Sequence, residues 1–260
     1  MNSSLARLKS ALARPRRQAA PPRFFFRDDD VDEDEATLRR LLSLFLERNT
    51  PINLGVIPGR LTAACADLLA ESAGASPATL ELNQHGWLHL NHEREGRKCE
   101  FGPSRTYAEQ LADVAQGRER MTEAFGPNWF PVFIPPWNRC TEDTYRALDH
   151  LGFRALSAKR GGSVVTGYRF EDISITLDLY RWNDGARLKS PEESVDSLIA
   201  QLSLPQTIGV ALHHKVMDER AFSFLDSLLD TLASYSTDHF HTFQSLLKSS
   251  YVETEVAPRP

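Results

Sequence analysis

The stretch Phe24-Phe25-Phe26-Arg27-Asp28-Asp29-Asp30-Val31 sets three aromatic side chains directly before three carboxylates, and Asp32 to Glu35 continue the acid. A short apolar run bounded by charge reads as a buried strand. Carboxylates gathered at its tip repel one another unless a cation or an arginine stands among them. His85-Gly86-Trp87-Leu88-His89 offers partners for such a cation. The His-x-x-x-His spacing predicts both rings on one face of a helical turn, close enough to share an ion, with Gly86 supplying a tight turn beside the first ring. One carboxylate and two imidazoles, with positions left open, suit a catalytic Zn²⁺ or a similar divalent cation. His92 is either a third imidazole or a surface residue. Within the acid run, one carboxylate on the ion and a free one beside it would activate a water molecule, the ion lowering the pKa of that water and the free acid taking its proton. The plain alternative is a solvated acidic loop. His213-His214 closes an apolar run, so that one ring is buried and able to act as a general acid or a ligand while the other is structural. Asp178 either orients that histidine or is an ordinary strand-end acid.

These residues need elements that bring them together. Leu5, Leu8 and Leu12 share a helical face among basic residues, ended by Pro15 and Pro21-Pro22; residues 1–22 read as a basic helix and arm, packed on the domain surface or anchoring a membrane or a partner. Strands are expected at Arg23–Arg27, Ile52–Ile57, Leu80–Leu82, Val132–Ile134, Phe153–Ser157, Ile173–Leu179 and Thr207–Leu212. Helices are expected at Thr37–Arg48, Thr62–Ser72, Tyr107–Ala124, Glu142–Leu151, Pro191–Leu202 and Asp218–Leu232. Lys159 to Gly162 reads as a loop and 249–260 as a loose tail. About seven alternating units favour a (β/α) barrel, whose chemistry sits at the C-terminal ends of the strands. Asp28 to Asp30, His85 and His89, Pro135 to Trp137, Asp178 and His213-His214 all fall at or just after such ends.

Composition bounds the rest. The chain has 260 residues, 41% hydrophobic and 25% charged, which fits a soluble globular protein of one large α/β domain or two small ones. A net charge of −5 argues against nucleic acid as the main partner. Three scattered cysteines form no CxxC pair, so neither a disulfide framework nor a cysteine zinc site is indicated. The basic N-terminus lacks the apolar core of a signal peptide, and no run reaches the roughly 20 apolar residues of a membrane span. A reducing cytoplasm is the expected location.

Taken together, the motifs resemble those of the polysaccharide deacetylases of carbohydrate esterase family four, the NodB-homology type, in a divergent intracellular branch. Arg27-Asp28-Asp29-Asp30-Val31 is similar to their Asp-Asp motif and His85-Gly86-Trp87-Leu88-His89 to their His-[Ser/Thr]-x-x-His motif. Phe133-Ile134-Pro135-Pro136-Trp137 is similar to their Arg-x-Pro motif, Asp178-Leu179-Tyr180-Arg181-Trp182 to their Asp-and-Trp motif, and Ala211-Leu212-His213 to their Leu-x-His motif. The resemblance spans roughly Phe24 to Phe243 and implies a distorted (β/α)7 barrel over residues 23–248. It implies Asp29 as general base and Asp30, His85 and His89 as ligands of a divalent metal ion, Zn²⁺ foremost. His213 would be the general acid tuned by Asp178, and the Trp137 backbone N–H would help hold the oxyanion. The implied reaction removes an N-acetyl group from an amino sugar or related carbohydrate. The alternatives are a non-catalytic metal- or sugar-binding relative and a hydrolase of another C–N bond in a small-molecule amide. Gly86 replaces the family's Ser or Thr, whose hydroxyl stiffens the histidine loop. Val31 replaces a Gly. Ile134 stands where the family carries the Arg that pairs with the base, for which Arg27 or Arg139 could substitute. Asp28 is a third acid that leaves the register open by one, and the choice between His213 and His214 stays open.

Overall fold

The computed structural model describes residues 2–14, 21–159, 167–204, 207–235 and 239–248. Positions 15–20 of the N-terminal arm, 160–162 of the expected loop and the expected tail 249–260 lie outside the described residues. Helix α1 (Asn2–Leu12) leads into β1 (Phe24–Val31), α2 (Ala36–Leu46), β2 (Ile52–Val56), α3 (Ala63–Ala75), β3 (Leu80–His85), α4 (Tyr107–Phe125), β4 (Trp129–Ile134), α5 (Glu142–His150), β5 (Ala155–Leu156), β6 (Glu171–Asp172) and β7 (Leu177–Asp178). The short pair β8 (Tyr180–Arg181) and β9 (Arg187–Leu188), then α6 (Pro191–Gln201), β10 (Ile208–Leu212) and α7 (Glu219–Ala233), follow. Helix α1 buries Leu5, Leu8 and Leu12 and packs against α6 and α7.

Among the described residues eight strands form one parallel sheet in the order β6-β5-β4-β3-β2-β1-β10-β7. Two of the expected strands, 153–157 and 173–179, shrink to two-residue pieces, and within the second the chain changes partners. Ile173 and Ile175 donate to the Leu156 and Ala158 carbonyls on one edge, whereas Thr176 and Leu179 donate to Gly209 and Ala211 on the other. The stretch from β6 to β7 therefore ties the two edges together, and seven staves curl into a distorted (β/α)7 barrel. Among the described residues no helix is long and apolar enough to cross a membrane.

Side chains alternate across a strand, and in β1 the alternation separates two interiors. Phe24 and Phe26 join Leu38, Leu41 and Phe45 in the helix-facing core. Phe25 points into the lumen with Val132, Ile134 and Ala211. Its ring lies 5.1 Å from that of Phe243. A helical turn at 243–248 plugs the barrel at the N-terminal ends of the strands. Asn53 Oδ1 accepts from the Phe243 N–H at 2.9 Å, and Glu81 Oε2 accepts from the Gln244 N–H at 2.9 Å. With the floor filled by side chains, the candidate residues gather at the opposite mouth, at the C-terminal ends of the strands.

Candidate active site

The acid run ends at that mouth, and its three carboxylates take three different partners. Asp28 faces the helical side: it accepts the His214 N–H at 2.9 Å and lies 2.6 Å from His214 Nδ1, both residues fully buried. This pair clamps β10 to β1 and stands apart from the chemistry. Asp29 faces the lumen and accepts from Arg27 Nη2 at 2.8 Å. Arg27 is itself fully buried and also donates to the Ser157 carbonyl at 2.7 Å, Ser157 Oγ at 3.0 Å and Asn138 Oδ1 at 2.7 Å. The other oxygen of Asp29, Oδ1, is buried without a hydrogen-bond partner. At Asp30 the ladder to β2 slips and the backbone turns left-handed, with φ 72°, a conformation Asp tolerates better than most residues. That turn swings the third carboxylate to the mouth, where Oδ1 lies 3.3 Å from His85 Nε2 and 3.1 Å from His89 Nε2.

His85 is the last residue of β3, and the Ile134 carbonyl 3.0 Å from its Nδ1 fixes the ring so that Nε2 faces Asp30. The expected helical turn between the two histidines is absent. Gly86 has φ 60° and His89 φ 55°, so a loop with two left-handed residues brings the second ring back beside the first, centroids 5.2 Å apart. One ligand atom each from Asp30, His85 and His89 falls within 4.8 Å of the others. A carboxylate oxygen and two ring nitrogens so placed fit a divalent ion with positions left open for water and substrate. Burial, and then the neighbouring His85, push the His89 pKa down to about 4, which leaves the neutral imidazole that ligation requires. Burial alone would raise Asp30, but His213, His85 and His89 together hold its carboxyl far below the usual range. His92, weighed as a third ligand, is exposed, outside this cluster, and donates its backbone N–H to the Cys99 carbonyl at 3.0 Å.

His213 directly follows β10 on the lumen side, in line with Gly209 and Ala211. Its Nε2 lies 3.3 Å from Asp178 Oδ1, and its Nδ1 is 4.0 Å from Asp30 Oδ2. Asp178 is oriented by the Tyr180 N–H at 2.8 Å and by Trp182 Nε1 at 2.9 Å. The Trp182 ring meets His213 edge-on, centroids 4.7 Å apart. Burial disfavours a charged His213, yet Asp178 and Asp30 outweigh it and raise its pKa to about 10, so the ring carries a proton at neutral pH. Trp137 takes φ 54° and lays its ring 4.3 Å from His89, closing the other side of the mouth. Arg139 does not serve Asp29: its Nη1 turns away to the Lys98 carbonyl at 2.9 Å.

No family model matches this sequence, and no curated protein matches it. Solved structures do. A Mycobacterium smegmatis protein assigned as a polysaccharide deacetylase superposes with TM-score 0.63 at 17% identity, over 86% of this chain and 79% of that one. The fold is that of the family 4 carbohydrate esterases. A family 4 acetyl xylan esterase from Clostridium thermocellum, solved with a cobalt ion, gives TM-score 0.56 at 14% identity, covering 82% of this chain and 84% of that one. A family 4 pseudoenzyme from Bacillus anthracis gives 0.58 at 13% identity, over 86% and 65% of the two chains. At such identities the likeness is one of fold. Within that esterase-like barrel, three residues escaped the sequence reading: Ser157 and Asn138, which hold Arg27, and Glu100, which binds the histidine loop. Only their positions after β4 and β5, or on the loop between the histidines and α4, pointed toward the mouth.

Proposed function

We propose that the chain is a metal-dependent hydrolase that removes an N-acetyl group from an amino sugar or a related carbohydrate. The observation that carries this reading is the convergence of Asp30, His85 and His89 within 4.8 Å, with Asp29 and His213 on either side. Asp30, His85 and His89 would hold the ion, and Zn²⁺ suits this donor set. When bound, the ion lowers the pKa of its water and polarises the amide carbonyl. Asp29, one oxygen fixed by Arg27 and the other free, takes the proton from the attacking water. His213, kept protonated by Asp178, delivers a proton to the departing amine. The Trp137 backbone N–H donates to the oxygen on which charge develops. Trp137 and Trp182 offer apolar faces for a sugar ring on the two sides of the mouth. Free thiols at Cys65, Cys99 and Cys140 suit a reducing cytoplasm.

A second reading, a metal- or sugar-binding relative without turnover, draws on Ile134 standing at the family's Arg position and on the pseudoenzyme among the structural neighbours. Arg27 on Asp29 favours the enzyme. Acetate release from N-acetylglucosamine oligomers by purified protein, before and after stripping with a chelator, separates the two. The enzyme reading expects release that is lost with the metal, restored by Zn²⁺ and abolished in Asp29→Asn. Metal binding with no release from any acetylated substrate supports the binding relative, and hydrolysis without acetate points to a different C–N bond.

A further inference from the structure

The loop that carries His89 has no stiffening group of its own, since residue 86 is glycine, yet it must hold two left-handed turns. A carboxylate from the following segment meets it instead. Glu100 is fully buried; its Oε1 accepts the Leu88 N–H at 2.7 Å and its Oε2 accepts the Trp87 N–H at 3.3 Å. Two successive amides converging on one carboxylate form an anion-binding concavity of the kind that fixes a loop's backbone. Among the described residues Glu100 forms no salt bridge, so these amides, rather than a cationic side chain, hold its buried carboxyl. The approach is so close that a Cβ on Gly86 would lie 2.2 Å from Glu100 Oε2 and 2.6 Å from Pro136 Cγ. Gly86 is therefore required by the carboxylate as well as by its φ.

Glu100 is itself anchored to the other wall of the mouth. The Cys99 N–H donates to Asn91 Oδ1 at 2.9 Å, Cys99 Sγ lies 3.4 Å from the Arg139 carbonyl, and Phe101 pairs with Cys140. The segment carrying Glu100 thus joins the histidine loop to the turn that presents Trp137. Resting on the metal site proposed above, we propose that Glu100 is the positioning residue of that site, setting the span between His85 and His89 by clamping the Trp87 and Leu88 amides.

The test uses Co²⁺ as the probe ion on full-length protein, with the dissociation constant read by chelator competition and the ligand geometry by the visible absorption of bound Co²⁺. Removal of a group that orients a metal ligand lowers affinity by about 10–100-fold. Glu100→Ala is expected to weaken Co²⁺ by that factor and to alter the absorption bands, and Glu100→Gln, which keeps one acceptor, by less but measurably. Hydrogen exchange of the Trp87 and Leu88 amides in metal-free protein should quicken in both variants. Wild-type affinity, spectrum and exchange in Glu100→Gln and in any folded Glu100→Ala overturn the proposal; should Glu100→Ala fail to fold, Glu100→Gln decides alone. If the wild type takes up no Co²⁺, the metal-site reading fails and the positioning role fails with it. Unchanged amide exchange with Co²⁺ binding intact sinks only the clamp.

Discussion

Arg27 is the side chain on which the proposed base depends, and it reaches Asp29 from its own strand. Both face the lumen two residues apart, and the guanidinium fork spans Asp29, Ser157 and Asn138 at once. A lysine cannot reproduce that fork. Arg27→Lys should lower kcat by about a hundredfold, the scale of a misplaced catalytic group, with KM little changed; steady-state rates on an acetylated substrate check it, and an unchanged kcat refutes it. The two adjacent histidines should separate cleanly. His213→Gln should lose about 10²–10⁴ in rate, the weight of a general acid, and some stability too, since it removes the charge that faces buried Asp178. His214→Ala strands the buried Asp28 carboxylate and should destabilise by about 3–5 kcal/mol in urea unfolding. At this scale the sequence exposed the residue types but left Asp28 to Asp30 and the two histidines unsorted. Sorting needed strand parity, with Gly209, Ala211 and His213 inward, and the slip at Asp30, which no pattern of residue types announces.

Among the elements, β1 and β10 were legible from their apolar runs, and their contact has one demanding point. Phe25 lies across β10 at Gly209, where an added Cβ would fall 2.1 Å from Phe25 Cζ. Gly209→Ala should therefore destabilise by about 1–3 kcal/mol through overpacking. Adding Phe25→Leu should recover part of that loss in the same urea titration. No loss in the single variant would mean the ring is free to move. The histidine loop was misread as a helical turn because His-x-x-x-His spacing fits a helix and a left-handed loop alike. Only Gly86 hinted at the second, and the carboxylate that holds the loop comes from a polar stretch with no periodicity. The alternation in 173–179 reads as an extended stretch but not as the seam of the barrel, because alternation says nothing about which edge a strand pairs with.

Across the whole molecule, the barrel floor is closed by polar contacts to the C-terminal plug, and one of them is tuned by burial. Burial pushes the Glu81 carboxyl up to about 7, against the opposing pull of the Asn83 side chain and the Gln244 N–H. A group whose folded pKa is raised favours folding most below its unfolded pKa and loses that contribution as pH rises through the folded one. The wild type should thus lose stability relative to Glu81→Gln between about pH 4.5 and 7, by up to about 3 kcal/mol. A constant difference across that range contradicts the assignment. The alternation of strands and helices made the barrel readable from sequence, whereas its floor was not, since nothing in the residue types of 240–248 says which end of the barrel they fill. The central claim is that a single divalent ion is held at the mouth by Asp30, His85 and His89. Calorimetric titration of Zn²⁺ into chelator-stripped protein tests it most directly. The predicted result is one ion per chain, with binding lost in Asp30→Asn and in His85→Ala/His89→Ala; no uptake by the wild type, or undiminished uptake by those variants, would contradict it.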